Sequence, residues 1–268
     1  MALWFAALMG LIQGLTEFLP ISSSAHLRIA PAIFGQPDPG PAFTAVIQLG
    51  TLLAVVAYFA KDLASLTTAM FREPSSPDGR LPLLLAAGTV PIVIAGLAMK
   101  KHIEGDLRSL YVTAAVLIGF SLVMLIIDRF AAGRDPTKPF ASLTLTDALL
   151  IGLAQTLALV PGVSRSGATI CMALLIGMTR SDAARFSFLL SIPAIAGAGI
   201  FEMRDALKIL GQDAIPALAI GTTVSFITGY AAIAWLIKWL SSHDLIVFIV
   251  YRIIAGGALL IALLCRLL

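Results

Sequence analysis

Residues 10–28 read GLIQGLTEFLPISSSAHLR, and residues 152–169 read GLAQTLALVPGVSRSGAT, the same pattern 142 residues later without a gap. Gly10 matches Gly152, Gln13 matches Gln155, Ser22 matches Ser164 and Ser24 matches Ser166. Each stretch begins as an apolar helix, is interrupted at Pro20–Ser24 or Pro161–Ser166, and then resumes. Polar residues inside hydrophobic segments are costly and mark function. Two matched, interrupted segments point to one site shared between two halves.

The surrounding chain is 59% hydrophobic and 12% charged over 268 residues, with a mean hydropathy of +0.98. Soluble domains carry roughly 25% charged residues, so an all-α polytopic membrane protein is expected. The net charge of +3 comes from short connecting loops, and no basic patch suits a nucleic acid. Cys171 and Cys265 lie in apolar segments without metal-ligand spacing and read as small hydrophobes. The N-terminus has neither a basic leader nor a small-residue cleavage site, so the first helix is expected to be retained.

Spans suited to about 30 Å of hydrocarbon run near 43–60, 81–99, 109–128, 185–203, 214–238 and 245–267. Polar loops are expected at 61–80, 100–108, 129–142, 204–213 and 239–244. Segments 2–34 and 143–179 are broken in the middle and fit re-entrant pairs that enter and leave on one side. Such backbone is tolerated at membrane depth only where protein buries it or it lines a wet cavity.

The repeat extends further, pairing Ala86 with Ala219, Gly88 with Gly221, Thr89 with Thr222 and Gly96 with Gly229. One membrane domain, residues 1–268, is therefore expected, with repeat halves 1–135 and 143–268. Each half has a re-entrant helix pair plus three transmembrane helices. Three is odd, so the second half starts from the opposite face and the repeat has inverted topology. On that map nine basic residues fall on one side: Lys61, Arg72, Arg80, Arg129, Arg134, Lys138, Arg180, Arg185 and Lys238. Six fall on the other, Lys100, Lys101, Arg108, Arg204, Lys208 and Arg266. This modest bias favours both termini outside the cytoplasm.

Few ionisable groups remain at membrane depth: Glu17 among the acids, then His26, Arg28, Arg165 and Arg252. An isolated charge at the bilayer centre costs about 2.5–3.5 kcal/mol on insertion scales, so these groups should pair with one another or with a solute. If the two breaks meet, Glu17 and His26 from one face Arg165 from the other. Gln13 and Glu17, four apart, share a helical face, and Ser22, Ser23 and Ser24 add hydroxyls. This density of polar groups exceeds what one salt bridge needs. In the second break Ser164, Ser166 and Thr169 offer hydroxyls and Arg165 a planar fork. A helix starting near Ser166 would aim its free amides into the break, an arrangement matched to phosphate. His26 is a candidate acid, base or nucleophile. Arg252 is expected to support the site structurally, and Gln48, Ser187 and Ser191 to bond between helices.

At these residues the chain closely resembles the undecaprenyl-diphosphatase family, the bacitracin-resistance type of integral membrane phosphatase. The resemblance rests on GLTEFLPISSSAH (14–26), IQLG (47–50), PGVSRSGAT (161–169), FSFLLSIPA (186–194) and Tyr251–Arg252, and runs from about residue 3 to the C-terminus. The family's Glu-or-Gln, three residues, Glu motif falls on Gln13 and Glu17. Its serine falls on Ser23, its histidine on His26, and its arginine motif on Ser164, Arg165, Ser166 and Thr169. Ala25 stands where the family usually has glycine, and Gln13 leaves one carboxylate for a metal where two could serve.

The resemblance implies hydrolysis of undecaprenyl diphosphate to undecaprenyl phosphate, which recycles the lipid carrier for cell-wall synthesis and gives bacitracin resistance. It implies a divalent cation, Mg²⁺ or Ca²⁺, on Glu17 and Gln13. Ser22, Ser164, Arg165, Ser166 and Thr169 would bind substrate, and Glu17, Ser23, His26 and Arg165 would carry catalysis. The implied setting is the bacterial inner membrane, with the site facing the periplasmic or extracellular side. Whether His26, Ser23 or water attacks stays open at this stage, as does a homodimer. The rival reading is a transporter or flippase for a phosphorylated lipid.

Overall fold

The computed structural model describes residues 1–104 and 109–267, without the side chains of residues 100–104, 198 and 200–209. Eleven α-helices follow in chain order among them: α1 (Leu3–Phe18), α2 (Ser23–Ile33), α3 (Gly40–Tyr58), α4 (Ala60–Arg72), α5 (Pro77–Glu104), α6 (Leu110–Ala132), α7 (Leu145–Thr156), α8 (Arg165–Leu175), α9 (Arg180–Leu210), α10 (Ile215–Leu240) and α11 (Ile246–Leu264). No strand occurs among the described residues. In lipid every backbone N–H and C=O must be satisfied internally, and a helix does this within one segment.

Five helices are long and apolar enough to cross a membrane: α3, α5 over Pro77–Met99, α6, α10 with the turn before it, and α11. They cover five of the six predicted spans, and the sixth lies within α9. Outward faces are apolar, with Ile94, Ile126 and Ile254 at 63%, 69% and 64% exposure, whereas Gln13, Glu17 and Arg252 are buried. Apolar outside and polar inside is the pattern of a protein solvated by lipid. The chain is a multi-pass membrane protein. Of the basic residues assigned to its second side, Lys100, Lys101, Arg108, Arg204 and Lys208 lie outside the described residues or side chains.

The two interrupted segments break in the same way. Leu19 and Val160, each next to a proline, are extended at φ −65°, ψ 141° and φ −87°, ψ 118°. Proline disfavours the helical region for its predecessor. After each proline a serine takes a left-handed φ of 76°, Ser22 in the first break and Ser164 in the second, and the next helix starts at once. A non-glycine residue held there stores roughly 1–3 kcal/mol of strain. At 16, 11, 12 and 11 residues, α1, α2, α7 and α8 are each shorter than the ~20 residues a span requires.

Each half's broken segment packs on the other half's span. α1 lies along α10, where a Cβ on Gly10 would overlap the carbonyl oxygen of Gly221. α7 lies along α5, where a Cβ on Gly152 would overlap the carbonyl oxygen of Gly88. The four glycines form two crossed pairs of matched positions. Without a hydrophobic drive between helices in lipid, close backbone approach at small residues supplies the packing.

Several predicted loops are partly helical. The expected polar loop at 61–80 contains α4, which seats Leu66 at 6% exposure against the core and packs beside α5. Its polarity resembles a loop, but Leu63 and Leu66 keep a helical spacing, and Asp62 in its first turn pairs with Arg185 on α9 at 3.1 Å. The predicted loop at 204–213 is likewise helical as far as Leu210.

Adding one methyl at either glycine crossing forces two helix backbones apart, and overpacking of this kind costs about 1–3 kcal/mol. Gly10→Ala and Gly152→Ala should both lower the melting temperature in detergent. Glycine-to-alanine at Gly257, where a Cβ meets nothing within 4 Å, is the control and should not lower it. Equal melting of all three would rule out the close crossings.

Candidate active site

The breaks set the first residues of α2 and α8, Ser23 and Arg165, on either side of Glu17. Glu17 sits in the last turn of α1 with 5% exposure and is the hub. Its Oε1 accepts from Arg165 Nη2 at 3.2 Å and from Gln48 Nε2 at 3.2 Å. Its Oε2 accepts from Ser23 Oγ at 2.7 Å and from Gln13 Nε2 at 3.0 Å. Four donors from α1, α2, α3 and α8 thus converge on one carboxylate. Burial of a charge is tolerated when it is paired and its lone pairs are filled, and both conditions hold here.

Arg165 reaches Glu17 through one arm of its fork and the carbonyl of Ser187 on α9 through the other, at 3.4 Å. Its buried Nε–H has no hydrogen-bond partner among the described residues. A guanidinium carries five donors, so Arg165 retains hydrogen-bonding capacity for an anion. Gln13 also reaches Thr51 Oγ1 on α3 at 3.4 Å.

Glu17, Ser22, Ser23, Ser24, Gln48, Ser164 and Arg165 form the polar wall of a cavity of about 200 Å³. Its other wall is apolar: Ile92 of α5, Ala158, and Ala194 and Ile195 of α9. A second chamber of about 320 Å³ shares Ser23, Ser24, Gln48 and Ala158 with the first and extends past Arg28 and Thr44 to exposed Asp38 and Pro41. Polar head space beside an apolar wall suits an amphiphile.

The two helix starts differ at their caps. In α8, Ser164 Oγ takes the Gly167 amide at 3.2 Å. In α2, Ser22 caps no amide and instead meets Ser24 Oγ at 3.1 Å. The uncapped end of α2, with its positive dipole, is therefore the better of the two for an incoming anion. The sequence had suggested the α8 end.

Of the residues singled out from the sequence, Gln13, Glu17, Ser22, Ser23, Ser164 and Arg165 come together here. Ser166 turns to the Leu19 carbonyl at 3.1 Å and ties the two breaks to each other. Thr169 lies behind Arg165, bonded to the Arg165 carbonyl at 2.9 Å and to Ser187 Oγ at 2.6 Å. His26 lines neither chamber. Its Nδ1 lies 2.8 Å from the Ser22 carbonyl and its Nε2 2.7 Å from the Tyr251 hydroxyl on α11, with the two rings stacked. A carbonyl only accepts, so Nδ1 carries the proton, and the neutral ring takes the Tyr251 proton at Nε2.

Gln48 is a cavity residue that the sequence reading treated as a contact between helices. Its cue is a lone amide near the start of an apolar span. Tyr251 was noticed only as a neighbour of Arg252.

A divalent cation can be tested against these donors. Among the described residues no three His, Cys, Asp or Glu side chains cluster, so an all-protein cage is absent there. Hard cations such as Mg²⁺ are commonly held by one or two carboxylates together with substrate phosphates and water. Glu17, the Gln13 amide oxygen and the Ser23 hydroxyl are hard oxygen donors that fit this mode, with the cation displacing part of the present hydrogen bonding.

Residues 6–258 match the family of bacitracin resistance protein BacA. The chain belongs to the BacA family. It is 49% identical to the undecaprenyl-diphosphatase of Myxococcus xanthus, over 98% of this chain and 90% of that one. It is 47% identical to that of a Nocardioides species, over 96% and 94%. With that of Chlorobium phaeovibrioides it shares 46% identity over 98% of both chains. The BacA match spans both breaks and all four helices that feed Glu17.

Removing one partner of a buried ion pair leaves the other uncompensated, at a cost of roughly 3 kcal/mol. Glu17→Gln and Arg165→Gln should each melt well below wild type in detergent. The double variant should lose much less than the sum of the two. Strict additivity would mean that the two side chains do not interact.

Proposed function

We infer that this protein hydrolyses undecaprenyl diphosphate to undecaprenyl phosphate and inorganic phosphate. It thereby returns the lipid carrier to cell-wall synthesis and confers bacitracin resistance. Membership of the BacA family and the undecaprenyl-diphosphatases at 44–49% identity support the activity. The observation that carries it to particular residues is that Glu17, Ser23 and Arg165 line one cavity together with the apolar Ile92, Ala158, Ala194 and Ile195. Diphosphate meets arginine and a helix start, and the prenyl chain meets Ile92 and Ile195.

Arg165, through its spare Nε–H, and the uncapped start of α2 hold the terminal phosphate, with Ser22 and Ser164 beside it. Ser23 Oγ already donates to Glu17, which is the arrangement of a nucleophile with its base. Attack by Ser23 on the terminal phosphorus breaks the anhydride bond and expels undecaprenyl phosphate, and the serine proton passes to Glu17. Water then cleaves the phosphoserine, releasing phosphate and restoring the hydroxyl. When bound, a Mg²⁺ or Ca²⁺ ion on Glu17 and Gln13 supplies further neutralisation of diphosphate charge. His26 acts here by holding the Ser22 carbonyl, and so the direction in which α2 leaves the break.

The architecture proposed with this function is an inverted-topology repeat. Each half is a re-entrant helix pair plus three transmembrane helices, set in the bacterial inner membrane with the site toward the periplasmic or extracellular side. The short α1, α2, α7 and α8 and the crossed glycine pairs support it.

Phosphate release from undecaprenyl diphosphate by detergent-solubilised protein tests the enzyme, because a flippase has nothing to transport across in a micelle. Arg165→Ala should lower the rate by about 10²- to 10³-fold, the scale for losing one preorganised donor to transition-state charge. Ser23→Ala should abolish any acid-quenched phosphoenzyme, which in wild type should map to Ser23. Full turnover by Ser23→Ala would exclude it as nucleophile, and a rate unaffected by chelator would remove the cation.

A further inference from the structure

Arg252 lies in the middle of α11 at 0% exposure, the largest fully buried side chain described. No carboxylate among the described residues pairs with it. Its fork is spent on three acceptors: Nε donates to Ser121 Oγ on α6 at 2.8 Å, Nη1 to the Pro20 carbonyl at 3.4 Å, and Nη2 to the Gly162 carbonyl at 2.7 Å. Ser121 gives its own proton to the Leu117 carbonyl and so has a lone pair to offer. Phe120 adds a ring face 5.7 Å from the guanidinium carbon.

The two carbonyls are equivalent. Pro20 and Gly162 are 142 apart, the offset that aligns the two broken segments, and each lies three residues before the first residue of a helix, Ser23 or Arg165. One rigid, planar group therefore grips the same point of both breaks. It touches neither cavity. Burying an unpaired cation is expensive, and a structural contact between helices would not need one. Two carbonyls freed from helical bonding at membrane depth do need strong donors.

We propose that Arg252 is a positioning residue that fixes the spacing between Ser23 and Arg165, and hence between nucleophile and bound phosphate. This rests on the phosphatase reading of the site. Lysine offers a point charge on a flexible stem and cannot hold two carbonyls and a hydroxyl in one plane. It can still neutralise the carbonyls' partial charge and keep the protein folded.

The test is undecaprenyl diphosphate hydrolysis in detergent by wild type, Arg252→Lys and Ser121→Ala, with kcat expressed per folded molecule and melting temperature measured alongside. Phosphate release by wild type settles the underlying phosphatase reading first. Arg252→Lys should then melt within a few degrees of wild type, with kcat lower by about 100-fold, the cost of an ångström-scale misplacement, and KM within about threefold. A role in holding the fold alone predicts the reverse: lower melting and unchanged kcat per folded molecule. Wild-type kcat in Arg252→Lys overturns the proposal. Should Arg252→Lys not fold, Ser121→Ala decides: a fall of about tenfold in kcat at constant KM supports positioning, and unchanged kcat overturns it.

Discussion

Two prolines free backbone carbonyls and amides at a depth where lipid offers no hydrogen bonds, and the arrangement around them answers that constraint. The Pro20 and Gly162 carbonyls go to Arg252, the Leu19 carbonyl to Ser166, the Ser22 carbonyl to His26, and the Gly167 amide to Ser164. Each unsatisfied group would cost several kcal/mol in hydrocarbon. Polar side chains are therefore concentrated where the backbone is irregular, and chemistry can recruit those that remain. At the cavity, the uncapped start of α2 and the Arg165 Nε–H are without hydrogen-bond partners among the described residues. Both suit an anion.

The ionic hub follows from the same geometry. Ser23 and Arg165 are equivalent positions in the two segments and begin equivalent helices, so any fold that brings the breaks together brings these two side chains together. Glu17 has no equivalent partner, because Leu159 stands at its matched position. One carboxylate therefore serves both helix starts. The two matched positions carry different side chains, hydroxyl on one and guanidinium on the other, and this gives the pair its chemical polarity.

Much of this was legible in the sequence because membrane depth penalises polar residues so strongly that each survivor is informative. Glu17, Arg165 and the serines stood out on that ground, and the spans followed from hydropathy. What the sequence could not give was direction after a break. His26 is nine residues beyond Glu17, but those residues cross Pro20 and the left-handed Ser22, so helical spacing no longer relates the two faces. His26 consequently turns to Tyr251 on α11 rather than to Arg165. The same ambiguity hid the turning of Thr169 toward Ser187. Helix α4 was missed for another reason: its apolar stripe is only two leucines wide, and polarity outweighed period.

Gln155 shows how far the two halves have separated. Its counterpart Gln13 donates to Glu17 and to Thr51. Gln155 is equally buried, at 0% exposure, but neither atom of its amide has a hydrogen-bond partner among the described residues. The carboxylate that such an amide would serve is absent, since Leu159 replaces Glu17 one turn on. An orphaned buried amide costs about 1–3 kcal/mol, a sizeable fraction of a stability that is typically 5–15 kcal/mol. The second half thus carries the amide without the carboxylate, and the single hub at Glu17 serves the helix starts of both segments.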